Sequence, residues 1–274
     1  MILSWVQTMV MSVVSAMTGV LPLSESGHGL MFRKLLGLPL NGSADGLLLS
    51  LNRLVIAMVI LLVFRGEFTW VTTRRNSSGG QRMNPARERA ELRRRLVTLV
   101  TVSLVPSVAV LAVFARVTDW QSNLLMIAAI MTILGLLVFS CDRVGFGKRE
   151  LAEVTLADGL LVGLFLGMGT ISGLSPVTMA IVMGIWRGLS PVFSLKLSCL
   201  MYVPLLILRG AIGFYNHWSS GFSAKYLVGM AVCGVITYLS LRLARFVAQR
   251  GSIGEFSYAL WGSAAFLFIL NLLS

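Results

Sequence analysis

Polar residues interrupt an apolar N-terminal region at Ser15–Leu30, which reads SAMTGVLPLSESGHGL. Within it, the hydroxyls of Ser24 and Ser26 flank the carboxylate of Glu25, and the imidazole of His28 follows. Polar non-helical backbone at membrane depth occurs where it is buried in protein or lines a cavity, and an ionisable group there marks a functional site. The pattern predicts a catalytic site in which Ser24 or His28 supplies the nucleophile or general acid.

Structural roles for the same residues stay open. His28 is the only group in the stretch that titrates near neutral pH, which suits catalysis. The same side chain could simply cap the arm that follows Gly27. Glu25 could be the acid of the site, but an ion-pair role is favoured over that one.

A second polar break lies half a chain later, at Gly169–Thr178, which reads GTISGLSPVT. We expect the two breaks to face each other as halves of one site. Arg53 and Lys196 are expected to supply positive charge near the breaks. A guanidinium that faces lipid at mid-span costs about 3 kcal/mol, so Arg53 is expected to face the protein interior. Snorkelling near a helix end is the alternative for Lys196 and the interpretation preferred for Arg209. His217 is interpreted as an interfacial residue without a special role.

The composition is that of an integral membrane protein. Of the 274 residues, 56% are hydrophobic and 12% are charged, about half the charged fraction of a soluble domain. No Lys or Arg precedes Arg33, so a cleaved signal peptide is not expected. The three cysteines have no metal or disulfide spacing. The Arg-rich segment 65–95 is explained by the excess of positive charge in cytoplasmic loops, and nucleic acid is not an expected partner.

The hydrophobic runs predict an all-α fold with six transmembrane helices and two re-entrant helical hairpins. The hairpins are predicted at 1–37 and 156–187, because each apolar arm is too short to span a bilayer. The predicted spans are 44–64, 96–117, 121–140, 192–214, 226–246 and 256–273. Each half, 1–140 and 141–274, then consists of one hairpin and three spans. An odd number of spans per half predicts an inverted-topology repeat with its site between the halves.

The basic loops set the expected orientation. Segments 65–95, 142–149 and 242–250 fall on one side, which is predicted to be cytoplasmic. Within the first loop, Asn76–Gln81 is expected to be flexible and Pro85–Arg95 to form a short surface helix. Pro106 is expected to kink its span, and a tight turn is expected around Asp119–Trp120.

The two breaks resemble the signatures of a known family. VLPLSESGH at Val20–His28 is similar to the first signature of the undecaprenyl-pyrophosphate phosphatase (bacitracin-resistance) family, E-G-x-T-E-F-L-P-[IV]-S-S-[ST]-G-H. The family's second signature, P-G-x-S-R-S-x-x-T, aligns with Ser172–Ala180. Downstream, Gly188-Leu-Ser190 and Val203-Pro204 match the family's G-V-S and V-P without a gap. The resemblance covers most of the chain.

Several signature side chains are replaced in this sequence. The two acidic positions of the first signature fall on Ser15 and Gly19, and the arginine of the second falls on Pro176. In the family, the acids are associated with metal and proton chemistry, and the arginine with the phosphate. The resemblance therefore implies a phosphatase scaffold in which hydrolysis is weak or lost.

The resemblance also implies the substrate class and the setting. The expected function is that of a phosphatase-like protein acting on polyprenyl (pyro)phosphate carriers of cell-envelope synthesis, in the bacterial inner membrane. The alternatives are a non-hydrolytic binder or translocase of lipid phosphate and an accessory subunit of a membrane complex. A divalent metal, Mg²⁺ or Ca²⁺, is expected only if the protein is catalytic. The partners expected are the carrier and other membrane lipids, and a homodimer or larger complex stays open.

The surplus of positive charge predicts an anion site. One carboxylate cannot neutralise both Arg53 and Lys196, and buried charges must be paired. A lipid phosphate would supply the missing negative charge. Its oxygens are expected to bind these two cations together with backbone N–H groups and hydroxyls of both breaks, at Ser26, Gly27, Gly173 and Ser175.

Overall fold

The structure is a computed structural model that describes residues 3–40, 45–65, 85–114, 123–145 and 147–272. These residues form ten α-helices, joined in places by short 3₁₀ turns. The helices are α1 (Trp5–Thr18), α2 (Glu25–Leu35), α3 (Gly46–Phe64), α4 (Pro85–Phe114), α5 (Leu124–Cys141), α6 (Leu156–Met168), α7 (Pro176–Trp186), α8 (Pro191–His217), α9 (Ala224–Arg250) and α10 (Phe256–Leu272). No β-strand occurs in the described ranges, as the predicted all-α class requires.

Six of these helices are long and apolar enough to cross a membrane, as predicted. They are α3, α4 from Ala90, α5, α8, α9 and α10 with the preceding turn from Ile253. The chain is thus a multi-pass membrane protein. One boundary was wrong: no separate surface helix exists at 85–95, because Pro85–Phe114 is one continuous helix that also contains Pro106. No Gly or Pro occurs between Ala86 and Val105, so the sequence contains no helix-breaking residue at the predicted boundary. The predictions for Asn76–Gln81 and Asp119–Trp120 lie outside the described residues.

Two pairs of short helices, α1 with α2 and α6 with α7, lie where the two re-entrant hairpins were predicted. Each second helix begins at a serine N-cap: Ser24 Oγ accepts the N–H of Gly27, and Ser175 Oγ accepts the N–H of Thr178. In both halves a helix pair precedes three long helices. This order is the one expected for two repeats, and the re-entrant path and the inversion remain predictions.

The centre of the molecule is the packing of α3 against α8. These two helices run antiparallel, since Gly46 at the start of α3 lies against His217 at the end of α8. Tyr202, on α8, is among the largest fully buried side chains. The two pairs of short helices pack around α3 and α8.

Each of the two pairs of short helices has ion pairs at its ends. Arg33, in the last turn of α2, contacts Asp45 at 3.0 Å. At the second pair, the fully buried carboxylate of Asp158 accepts from Arg149 Nη2 at 2.7 Å and from Arg187 Nε at 2.6 Å. Burial by itself raises the pKa of Asp158, but the Thr155 N–H and the two guanidinium groups outweigh it and hold this pKa well below its ordinary value.

Candidate functional site

The two polar breaks meet, as predicted. Ser26 Oγ accepts the N–H of Gly173 at 2.7 Å. Ser24 Oγ donates to the carbonyl of Leu174 at 3.3 Å, and Thr178 Oγ1 donates to the carbonyl of Leu23 at 3.4 Å. These three contacts join residues about 150 positions apart in the chain. Hydrogen bonds of side-chain hydroxyls therefore connect the tips of the two helix pairs.

Gly173 is required by the backbone at this junction. Its φ is +96°, a conformation that side chains with a Cβ rarely adopt. A Cβ at this position would also lie 2.8 Å from Ile130 Cβ on α5. The second break can approach the first only because this position lacks a side chain.

The amides of Gly27 and Gly173 are already used within the protein. The Gly27 N–H donates to Ser24 Oγ at 3.1 Å, and the Gly173 N–H donates to Ser26 Oγ. Ser175 is buried, and its hydroxyl caps α7. The structure thus gives these predicted phosphate ligands internal partners. Of the four residues Ser26, Gly27, Gly173 and Ser175, only Ser26 also lines the cavity described next.

A cavity of about 460 Å³ lies between the breaks, α3 and the second half of α8. We call it the hairpin cavity. Its ionisable lining residues are Glu25, Arg33, Arg53, Arg209 and His217. Its lining also includes five residues with hydroxyl side chains: Ser15, Ser26, Ser50, Thr170 and Ser172. Three arginines against one glutamate leave two positive charges, or one after Asp45, the partner of Arg33, is counted.

Glu25 is held by both α3 and α8. Arg53 donates to Glu25 Oε1 through Nε at 3.2 Å and Nη2 at 2.9 Å. Arg209 Nη1 lies 3.7 Å from Oε2, and the Tyr202 hydroxyl donates to Oε2 at 3.5 Å. The side chains of Glu25, Arg53 and Arg209 keep 15%, 17% and 22% of their surface exposed. The ion-pair role favoured for Glu25 is confirmed, and its partner Arg53 belongs to a larger cluster that faces the cavity.

The snorkelling position preferred for Arg209 was wrong, because its guanidinium belongs to the Glu25 cluster and lines the hairpin cavity. His217, interpreted as an interfacial residue, also lines this cavity from the last turn of α8. Tyr202, Arg209, Gly213 and His217 are spaced by seven, four and four residues, which places them on one face of α8. That spacing is the sequence signal that could have found them. His217 is oriented by Nδ1, which lies 2.9 Å from the carbonyl of Gly213.

His28 and Ser24 lie beside the cavity, outside its lining. His28 is 8% exposed, with Nδ1 at 2.8 Å from the Ser24 carbonyl and Nε2 at 3.0 Å from Ser263 Oγ on α10. The carbonyl can only accept, so Nδ1 carries the proton and Nε2 accepts from the serine. Both residues thus hold α2 in place through their hydrogen bonds.

Lys196 is absent from the hairpin cavity. It lines a different cavity, near the start of α8. Thirteen residues of α8 separate it from Arg209, which corresponds to roughly 20 Å along the helix axis. The expected grouping of Lys196 with Arg53 is not found, and Arg209 occupies the place in the cluster that Lys196 was given.

The residues of the cavity do not fit a protein-bound divalent metal ion. Glu25 is the only carboxylate among the described lining residues. Arg53 donates to its Oε1, and the positive charge of Arg209 lies 3.7 Å from its Oε2. Ser15 and Gly19 stand where the family signature has acids. No group of three His, Cys, Asp or Glu side chains suited to a metal occurs in the described part of the chain. Such ions prefer carboxylate and other oxygen ligands without competing cations.

The comparisons with known proteins agree with this architecture. The family profile described as "Bacitracin resistance protein BacA" matches residues 8–266. An undecaprenyl-diphosphatase from Trichlorobacter lovleyi is 26% identical over 247 residues, which cover 88% of each chain. One from Corynebacterium glutamicum is 26% identical over 255 residues, covering 90% of this chain and 84% of the relative. Undecaprenyl-diphosphatase 4 from Bacillus thuringiensis subsp. konkukian is 22% identical over 274 residues, 98% of each chain.

The match reaches from the first short helix to the last long one, and it includes both polar breaks and the cavity between them. The chain therefore belongs to the bacitracin resistance protein BacA family.

Proposed function

We propose that this protein binds the phosphate end of a polyprenyl (pyro)phosphate carrier in the hairpin cavity, in the bacterial inner membrane, and hydrolyses it weakly or not at all. The relatives are named for the diphosphatase reaction on undecaprenyl diphosphate. The observation that carries the proposal is the charge of the cavity, where Arg53 and Arg209 share a single carboxylate.

The arginines supply what a phosphate needs. A guanidinium binds phosphate oxygens bidentately and keeps its charge when desolvated. Arg53 uses Nε and Nη2 for Glu25, and Arg209 is held by the same carboxylate at a longer distance. Ser26, Thr170 and Ser172 line the same space. Thr170 Oγ1 already donates to the Gly167 carbonyl at 2.7 Å, so the hydroxyls of Ser26 and Ser172 are the ones that can donate to further oxygens. An incoming phosphate would thus compete with Glu25 for the two arginines.

Weak hydrolysis follows from what the cavity lacks. Phosphoryl transfer needs positioned cations and an activated nucleophile. The carboxylate that could activate a water or hydroxyl, Glu25, is committed to arginines, and Pro176 replaces the signature arginine. A direct catalytic role for Ser24 or His28 would require their present hydrogen bonds to open. We assign them to positioning of α2.

Phosphate release from polyprenyl pyrophosphate tests the catalytic part. The purified protein is assayed in detergent with and without Mg²⁺ or Ca²⁺, beside the Trichlorobacter lovleyi relative. Loss of one transition-state contact commonly costs 10²–10³-fold in rate, so we expect release at least about 10²-fold slower than by the relative. Turnover comparable with that of the relative would overturn weak hydrolysis and make Glu25 and Arg53 candidates for catalysis.

Binding of polyprenyl phosphate, without pyrophosphate chemistry, tests the other part. We expect Arg53→Gln and Arg209→Gln each to weaken binding by about tenfold, as loss of a charged hydrogen bond implies. Arg94→Gln, an exposed substitution on α4, is the matched control and should leave binding unchanged. Equal binding by all four proteins would refute an anion site in the hairpin cavity.

A further inference from the structure

A second cavity lies at the opposite end of the α3–α8 pair. Its volume is about 640 Å³, and it is formed by the last turn of α3, the first turns of α8 and the second half of α9. We call it the basic cavity. It shares no lining residue with the hairpin cavity. Ten residues of α3 separate Arg53 from Val63, so the two cavities are roughly 15 Å apart along that helix.

The lining of the basic cavity is cationic at one edge. Lys196, Arg242 and Arg245 contribute positive charges, and the described residues that line it include no Asp or Glu. Lys196 and Arg245 each also interact with other groups of the protein. The guanidinium of Arg242 lies 5.8 Å from the ring centroid of Tyr238, which also lines the cavity. An anion entering here would meet three cations from two helices.

Apart from Gln249 and the hydroxyl of Tyr238, the remaining walls are apolar, and they reach the lipid-facing surface. Val63, Phe64, Val192 and Leu195 line the inner part. Leu243 and Phe246 line the outer part and are about half exposed. In a membrane protein, exposed apolar side chains on a spanning helix face hydrocarbon. The cavity therefore opens sideways towards acyl chains while its cations gather at the end of the helices.

This end of the bundle also carries other basic residues. Arg93, Arg94 and Arg95 lie in the first half of α4, where Arg95 Nη2 donates to the Val154 carbonyl, and Arg143 and Lys148 follow the end of α5. Basic pockets between transmembrane helices on such a face bind anionic head groups. A phosphate with an attached hydrocarbon chain matches both parts of the cavity, whereas a free phosphate matches only its cationic edge.

We propose that the basic cavity is a binding site for an anionic phospholipid, with the head-group phosphate at Lys196, Arg242 and Arg245 and an acyl chain along Leu243 and Phe246. The site is separate from the hairpin cavity, and it stands or falls independently of the proposed function.

Native mass spectrometry can count the bound lipids. The purified protein, in a zwitterionic detergent, is mixed with phosphatidylglycerol or with phosphatidylcholine carrying the same acyl chains. We expect phosphatidylglycerol to be retained at least about tenfold more than phosphatidylcholine, because each nearby basic residue favours an anionic lipid by about fivefold. Equal retention of the two lipids would overturn the proposal.

Charge-matched variants locate the site. The triple variant Lys196→Gln/Arg242→Gln/Arg245→Gln should lose the preference for phosphatidylglycerol. The control, Arg94→Gln/Arg143→Gln/Lys148→Gln, removes the same number of exposed charges at the same end and should keep it. If the control loses as much as the triple variant, the preference is general surface electrostatics and the site is refuted. If the triple variant fails to fold, Arg242→Gln alone should lower the preference by about fivefold.

Inorganic phosphate distinguishes a lipid from a free anion. We expect millimolar phosphate to leave bound phosphatidylglycerol in place, since it cannot fill the apolar wall. If phosphate displaces the lipid from the wild type and this displacement is lost in the triple variant, the cavity binds a free anion and the lipid proposal is refuted.

Discussion

Two carboxylates in this protein are each held by two arginines, and they differ in what surrounds them. Asp158 is completely buried, and both of its arginine contacts are shorter than 2.8 Å. Glu25 faces a cavity and has one close arginine at 2.9 Å and one distant arginine at 3.7 Å. In the first cluster both carboxylate oxygens of Asp158 accept close hydrogen bonds, and these bonds connect the start of α6 to the end of α7. The second keeps binding capacity, because Arg209 is near the carboxylate without being fully engaged by it.

The difference shows how one pairing of residue types serves two purposes. A charged group in a buried site costs several kcal/mol unless every lone pair and proton finds a partner. Asp158 meets that condition through Thr155, Arg149 and Arg187. Around Glu25, two cations meet one anion, so a second anion can enter. We therefore expect changes at Asp158 to alter stability and changes around Glu25 to alter binding.

The largest effect is expected from Asp158→Ala. The substitution leaves Arg149 and Arg187 without their carboxylate and removes the acceptor for the Thr155 N–H. Each hydrogen bond to this buried carboxylate contributes about 1.5 kcal/mol or more, and two are lost, so the protein should unfold at a clearly lower temperature in detergent. A melting temperature within about 2 °C of the wild type would show that this cluster does not hold the second helix pair.

Acid should weaken the same cluster. The folded pKa of Asp158 is depressed, so its stabilising contribution is complete above the unfolded pKa, about 3.9, and is lost as the pH falls towards the folded value. Wild-type stability should therefore begin to decline below about pH 5 and continue to fall as the pH drops past the unfolded pKa towards the folded one. Asp158→Asn should flatten this part of the stability profile, with thermal unfolding followed at each pH. An unchanged profile would assign the acid sensitivity to other groups.

Glu25→Gln should produce a smaller loss of stability, about 1 kcal/mol, because its partners can turn towards the cavity and water. It should also strengthen binding of polyprenyl phosphate by about tenfold, since the competing charge is gone. Binding and melting temperature are measured on the same preparations. If Glu25→Gln and Arg53→Gln each destabilise strongly, the double variant recovers and no lipid phosphate binds, the cluster is purely structural.

The second arginine of each cluster gives a direct comparison. Arg187→Gln loses a 2.6 Å hydrogen bond to a buried carboxylate and should cost about 1 kcal/mol of stability. Arg209→Gln loses a 3.7 Å contact and should change stability by less than about 0.5 kcal/mol, although it weakens lipid binding. Equal effects on stability would mean that the two clusters are equivalent.

Asp142 provides the smallest expected effect. Burial and the nearby charge of Glu255 raise its pKa, against the lowering effect of the Gly254 N–H. Asp142→Asn keeps an acceptor for that N–H and removes the disfavoured charge. Stability at neutral pH should rise slightly, by less than about 0.5 kcal/mol. A marked destabilisation would show that the ionised carboxylate itself is needed at the end of α5.

Much of the fold could be predicted from local patterns. All six long helices were placed correctly because a span of about 20 apolar residues is a property of one segment, independent of its neighbours. The two breaks were found for the same reason, since Pro22, Gly173 and their polar neighbours are unusual in an apolar run. The family resemblance rests on these same stretches and agrees with the match over residues 8–266.

The charges of the site were predicted less well. Lys196, Arg209 and His217 all lie on α8, and hydropathy treats them alike. Which of them reaches the hairpin cavity depends on the end of α8 that meets the breaks and on the face that meets α3. The helix runs antiparallel to α3, so Arg209 and His217 approach Arg53 while Lys196 is carried to the opposite end.

The sequence alone thus determined the membrane class, the helices, the two breaks and the preference for an ion-pair role of Glu25, since each follows from the local cost of placing polar groups among apolar ones. Only the tertiary structure decided that Arg209 completes the cluster, that the amides of Gly27 and Gly173 are satisfied internally, and that a second basic cavity lies at the far end. The physical reason is that these outcomes depend on which faces of distant helices come within a few ångströms, and single-segment patterns carry no information about that distance.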